Sequence, residues 1–154
     1  MAGMDLKQRL RADLTTAMKT RDELRTATLR MALSAVAKEE VAGKAARTLT
    51  DDEVLRVLTR EAKRRREAAE AFDGGGRPEL ASRERAEGLV LAGYLPASLA
   101  DDELTALVEA AIATVGASSP RDLGQVMRAA TGTAAGRADG ARVAAEVRRQ
   151  LAER

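Results

Sequence analysis

Leucine and methionine recur at every fourth position in Leu6, Leu10, Leu14 and Met18, with Lys7, Arg9, Arg11 and Asp13 off that line. The spacing predicts a first helix lying on the surface with one side buried. Asp22 is placed to cap a second helix, in which Leu24, Thr28, Met31 and Ala35 form one edge and Leu29, Leu33, Val36 and Ala37 the next. So wide an apolar stripe predicts contact with two neighbours. Gly43 marks its end, and Thr50-Asp51-Asp52-Glu53 then has the residue types and spacing of a capping box. The third helix, from about Asp51 to Phe72, is the longest. Its apolar line is Leu55, Leu58, Ala62, Ala69 and Phe72, with Arg56, Arg60, Lys63, Arg64, Arg65 and Arg66 opposite. Asp73-Gly74-Gly75-Gly76 cannot stay helical cheaply and Pro78 suits a first helical turn, so helices three and four are expected to form an antiparallel hairpin. The fourth uses Leu80, Leu91 and Leu95, with Glu84 and Glu87 between them.

A joint follows. Pro96 lacks a backbone N–H and biases Leu95 away from helical angles, so the fourth helix is expected to stop at about Tyr94. A fifth, capped at Ala100 or Asp101, carries Leu104, Leu107, Val108 and Ile112 and ends near Gly116. Ser119 as cap and Pro120 at the first position open a sixth through Leu123, Val126 and Met127. Thr131 to Gly140 reads as a loop, and the last helix uses Val143, Val147 and Leu151. No alternating strand pattern appears. The expected fold class is therefore all-α in two helical subdomains: an N-terminal bundle of about four helices over residues 4–94 and a three-helix C-terminal module over residues 95–154.

Composition sharpens this. Phe72 and Tyr94 are the only aromatic residues among 154, so the cores are aliphatic, which suits helix on helix. The formal net charge is only +2 although 32% of residues are charged, so both signs are interspersed over the surface. Residues 95–154 hold seven basic and eight acidic side chains, which leaves a slight basic excess in the N-terminal part. Cys and His are both absent, which removes disulfides, thiolate nucleophiles, imidazole bases and the commonest zinc ligands together. The longest uncharged run, Gly88 to Ala100, contains a proline and is too short to span a bilayer. With no leader pattern at the N-terminus, a cytoplasmic protein without membrane association is expected.

Two stretches carry candidate chemistry. Lys63, Arg64 and Arg66, within the densest basic run, are candidates for following a nucleic-acid backbone; alternatively they are a solvated face paired with Glu61, Glu67 and Glu70. The second runs from Gly124 through Gly132 to Gly136-Arg137-Ala138-Asp139-Gly140 and Arg142. Gly124 inside a helical pattern costs about 1 kcal/mol against Ala, so it needs a reason such as close helix approach. The glycine-rich loop with Arg137 and Arg142 can hold a phosphate on free N–H groups, or Asp139 simply caps the last helix. The carboxylate pairs Glu67/Glu70 and Asp51/Asp52 lie on a polar face or in a cap and are not read as catalytic. No catalytic residue, metal site or cofactor is expected.

Gly124-Gln125-Val126-Met127, the following Thr131-Gly132, and Gly136-Arg137-Ala138-Asp139 leading to Val143 resemble the C-terminal tail of GatB, the B subunit of the glutamine-dependent aspartyl/glutamyl-tRNA amidotransferase. With Thr28-Leu29-Arg30-Met31, the Lys63 to Phe72 segment, Tyr94-Leu95-Pro96 and Gly116-Ala117-Ser118, nearly the whole chain is similar to the stand-alone GatB/YqeY-domain family. The resemblance implies two helical subdomains and an accessory role, since in the amidotransferase the tail helps to hold tRNA while the chemistry lies on portions absent here. It implies tRNA, or an amidotransferase or other translation-related protein, as partner. Because the last module is slightly acidic, RNA contact there falls to a few placed side chains: Arg128, Arg137, Arg142, Arg148 and Arg149, with Pro96, Gly124, Gly136, Asp139 and Gly140 as structural motif positions. The alternatives are carbon-nitrogen ligase activity with glutamine as amido-N-donor, and a protein-protein adaptor.

Overall fold

The computed structural model describes residues 3–154. They form seven α-helices and one short 3-10 turn, with no strand among the described residues. The fold is all-α. The chain divides into two compact units, one ending at Leu95 and the other spanning Pro96–Arg154.

The first unit contains α1 (Leu6–Lys19), α2 (Glu23–Glu40), α3 (Asp51–Gly74) and α4 (Pro78–Ala92). α3 and α4 form the expected antiparallel hairpin, reversed at Gly74-Gly75-Gly76, where Gly76 takes φ +72°. Each start has a local cause. Asp5 caps α1 by accepting the Gln8 N–H at 2.7 Å, and Asp22 caps α2 through the Arg25 N–H at 3.1 Å. Thr50 and Glu53 make the full capping box, at 3.3 and 3.1 Å. Leu10, Leu29, Val36, Val54, Leu58 and Leu91 are fully buried at the centre of the core.

The even four-residue stripe of α1 does not survive intact. Leu6 and Leu10 are buried, Leu14 is half-buried and Met18 is 50% exposed, while Ala17 takes the inward position. A step of four residues overshoots a full turn by about 40°, so three such steps carry Met18 about a third of the way around the helix. α2 packs on α1, α3 and α4, three neighbours rather than two, through Thr28, Leu29, Ala32 and Val36. α4 stops at Ala92, two residues short of Tyr94. Tyr94 and Leu95 still turn back on Leu91 and Ala92 by backbone hydrogen bonds of 3.0 and 3.1 Å.

The second unit contains α5 (Asp101–Val115), the 3-10 turn Pro120–Asp122, α6 (Leu123–Ala134) and α7 (Gly140–Ala152). Val108, Ile112, Val126, Val143, Val147 and Leu151 form the centre of its core. Ala100 stands at the start of α5; it has no side-chain oxygen to offer, and Glu103 supplies the reciprocal bond to its N–H at 3.0 Å. Gly116 ends α5 in the left-handed conformation at φ +69°, where a glycine avoids the Cβ penalty. Ser119 and Pro120 open the 3-10 turn rather than an α-helix, and α6 begins directly after it at Leu123. The expected loop is shorter than its composition suggests. Thr131, Gly132, Thr133 and Ala134 complete α6, and Ala134 is buried. The break comes at Ala135 and Gly136, at φ +49° and +81°.

Candidate nucleic-acid interface

The basic run on α3 does not act as one group. At 3.6 residues per turn, Lys63 and Arg64 share one side of the helix with Arg56 and Arg60, while Arg65 stands across from them. Lys63 and Arg64 are exposed, at 58% and 66% of their side chains, and pair with Glu67 at 3.9 Å and Glu61 at 3.0 Å. Arg65 turns inward beneath α4. Its Nη1 lies 3.2 Å from Glu84 and 3.6 Å from Glu87, and Arg83 reaches Glu87 from the other side at 3.3 Å. Glu61 and Glu87 are buried, so the hairpin contains a cluster of carboxylates with guanidinium partners. Gly88 lies where α4 crosses this point: a Cβ there would stand 3.7 Å from the Arg65 Cβ. Arg66 is exposed on α3 and engaged by a further interaction.

In the second unit the candidate arginines divide by role. Arg137 is a clamp: its carbonyl accepts the Leu99 N–H at 2.8 Å and its Nε donates to the Ala97 carbonyl at 2.9 Å. Arg142 pairs with Asp101 at 2.8 Å. Together they fasten the segment entering α5 to the loop before α7, and Pro96 begins that segment. Arg149 is held by Glu146 at 2.6 Å and Glu153 at 3.1 Å. The Arg149 guanidinium, with Gln150 and Thr105, draws the Glu146 carboxyl down to about 2. Arg128 on α6 and Arg148 on α7 are exposed and have no carboxylate partner among the described residues.

The motif glycines resolve differently from one another. Gly136 is required by its positive φ. Gly140 is the first residue of α7 with nothing within 4 Å of a Cβ placed on it. Gly124 shows no close helix approach: the nearest atom to such a Cβ is the flexible Arg128 Nη1 at 4.0 Å. The expectation of tight packing there is corrected. Asp139 caps α7, accepting the Arg142 N–H at 2.8 Å, and so occupies one of the donors a phosphate would use.

Two polar groups escaped the reading of the sequence. Tyr94 donates its hydroxyl hydrogen to Asp13 of α1, lies 3.5 Å from Arg25 Nη2 of α2, and has Arg9 stacked 4.9 Å from its ring centroid. Burial first, then the Asp13 carboxylate, pushes its phenol up to about 12. Gln150, almost fully buried, donates to the Thr105 carbonyl at 3.0 Å and to Glu146 at 2.8 Å, joining α7 to α5.

The family model of Yqey-like protein matches residues 7–151. The chain belongs to that family. The YqeY family is related to the C-terminal domain of GatB, which agrees with the resemblance carried by Gly124 to Val143. No curated protein matches the chain. No helix among the described residues of this YqeY-like chain is long and apolar enough to cross a membrane.

Proposed function

We propose that this YqeY-like protein is a non-catalytic cytoplasmic accessory factor that contacts tRNA through its C-terminal unit. The observation that carries the reading is the pair Arg128 and Arg148, exposed and without a carboxylate partner among the described residues, on a unit related to the GatB tail. An exposed guanidinium that no internal carboxylate holds is available for bidentate contact with a phosphate. Arg137, Arg142 and Arg149, also candidates on sequence, contribute by holding the unit in shape. Fluorescence anisotropy of the full chain with labelled bulk tRNA at several salt concentrations tests this. The combined variant Arg128→Ser and Arg148→Ser is expected to weaken binding and to reduce the salt slope by about two. Absence of tRNA binding at low salt, or a slope unchanged in the variant, would overturn it.

A further inference from the structure

α3 presents a second cationic surface, in the N-terminal unit. Arg56, Arg60, Lys63 and Arg64 fall within about 100° of arc on the side of α3 turned away from the core, and they extend over about 12 Å of helix. That length covers about three successive phosphates at their axial spacing in one strand of a duplex. Arg56 has no partner among the described residues. Arg60 reaches Glu39 at the end of α2 at 3.3 Å, with 57% and 40% of the two side chains exposed, and Lys63 reaches Glu67 at 3.9 Å, with 58% and 60% exposed. Ion pairs as wet as these contribute little and are screened by salt, so a phosphate can replace the carboxylate. Glu61 differs: it is buried beneath Arg64 and is not a wet surface partner.

We propose that this face of α3 is a second phosphate-contacting surface for RNA, and that Glu39 and Glu67 act as its internal competing anions. The inference rests on the reading of the chain as an RNA-contacting protein and adds a surface in the other unit. Charge complementarity identifies the occupant: a row of cations at helical spacing, three of them guanidiniums, matches a phosphodiester backbone. The competing carboxylates make the contact weak and strongly salt-dependent.

The test is anisotropy with labelled tRNA on the full chain, run for two variants with opposite expected effects. Replacing Arg56, Arg60 and Lys63 together by Ser is expected to weaken binding about tenfold or more at low salt and to reduce the salt slope by two to three. Replacing Glu39 and Glu67 together by Gln removes only the competitors and is expected to tighten binding between about two- and tenfold. All five positions lie at the surface, and unchanged helical circular dichroism confirms that each variant is folded. If the wild-type chain binds tRNA and neither variant alters the affinity, the α3 surface is overturned while the C-terminal reading stands. If neither the wild type nor the glutamine variant binds, both fall. If polyglutamate displaces tRNA at equal charge concentration, the face takes acidic protein, and the RNA assignment is overturned.

Discussion

Replacing Arg65 by Ala should destabilise the N-terminal unit by about 2 kcal/mol. Removing one partner of a fully buried ion pair costs roughly 3–5 kcal/mol, and an exposed pair is worth about 0–1 kcal/mol. Arg65 lies between these limits, with 21% of its side chain exposed, against 17% for Glu84 and 11% for Glu87. After the substitution Glu87 keeps Arg83 at 3.3 Å, whereas Glu84 loses the partner it has at 3.2 Å. Arg65 Nε and Glu84 Oε2 make no hydrogen bond, so the pair is held by charge more than by aligned N–H donation, which lowers its worth further. The side-chain stem that fills the crossing opposite Gly88 is lost as well. Urea unfolding followed by far-ultraviolet circular dichroism measures the effect. Arg65→Met, which keeps the stem and discards the charge, should recover only a minor part of it. A deficit under about 0.5 kcal/mol for Arg65→Ala, or full recovery in Arg65→Met, would refute the assignment of Arg65 to a partly buried ionic cluster.

Gly124→Ala should raise stability by up to about 1 kcal/mol in the same assay, because Ala forms helix more readily and the added methyl meets only a mobile guanidinium; a loss would reveal packing on that face. Thr50→Ala should cost about 1 kcal/mol by removing half of the α3 capping box, while Thr50→Ser should retain most of it. Glu146, drawn from 4.5 to about 2, stabilises the fold above its unfolded value, and the contribution is lost as pH falls toward 2. Glu146→Gln should therefore show a stability deficit that is constant above pH of about 5 and shrinks steadily below it; a deficit that grows with acid would contradict the sign.

Local signals were legible and distant ones were not. The Thr50 box, the Asp22 and Asp139 caps and the Gly74 to Gly76 reversal depend on residues a few positions apart, and each stands where its chemistry places it. Arg65 could not be told from Lys63 and Arg64 by composition, because its role is decided by Glu84 and Glu87 on the antiparallel helix. Tyr94 read only as a helix end, since its partner Asp13 lies 81 positions earlier. Thr131 to Ala134 looked like loop because glycine and threonine are weak helix formers, and tertiary burial of Ala134 overrides that preference. Among the candidate arginines, charge and spacing were visible in advance. Which of them are consumed by Asp101, Glu146 and Glu153 is a property of the folded unit alone.

The role proposed for this chain is to grip RNA and leave bond-making to others. Ultraviolet crosslinking of the protein in its own cells, followed by sequencing of the attached RNA, tests this most directly. Reads concentrated on tRNA, and reduced when Arg128 and Arg148 are replaced by Ser, are the predicted result. Recovery of no RNA above an uncrosslinked control, or of RNA with no enrichment of tRNA, would contradict it.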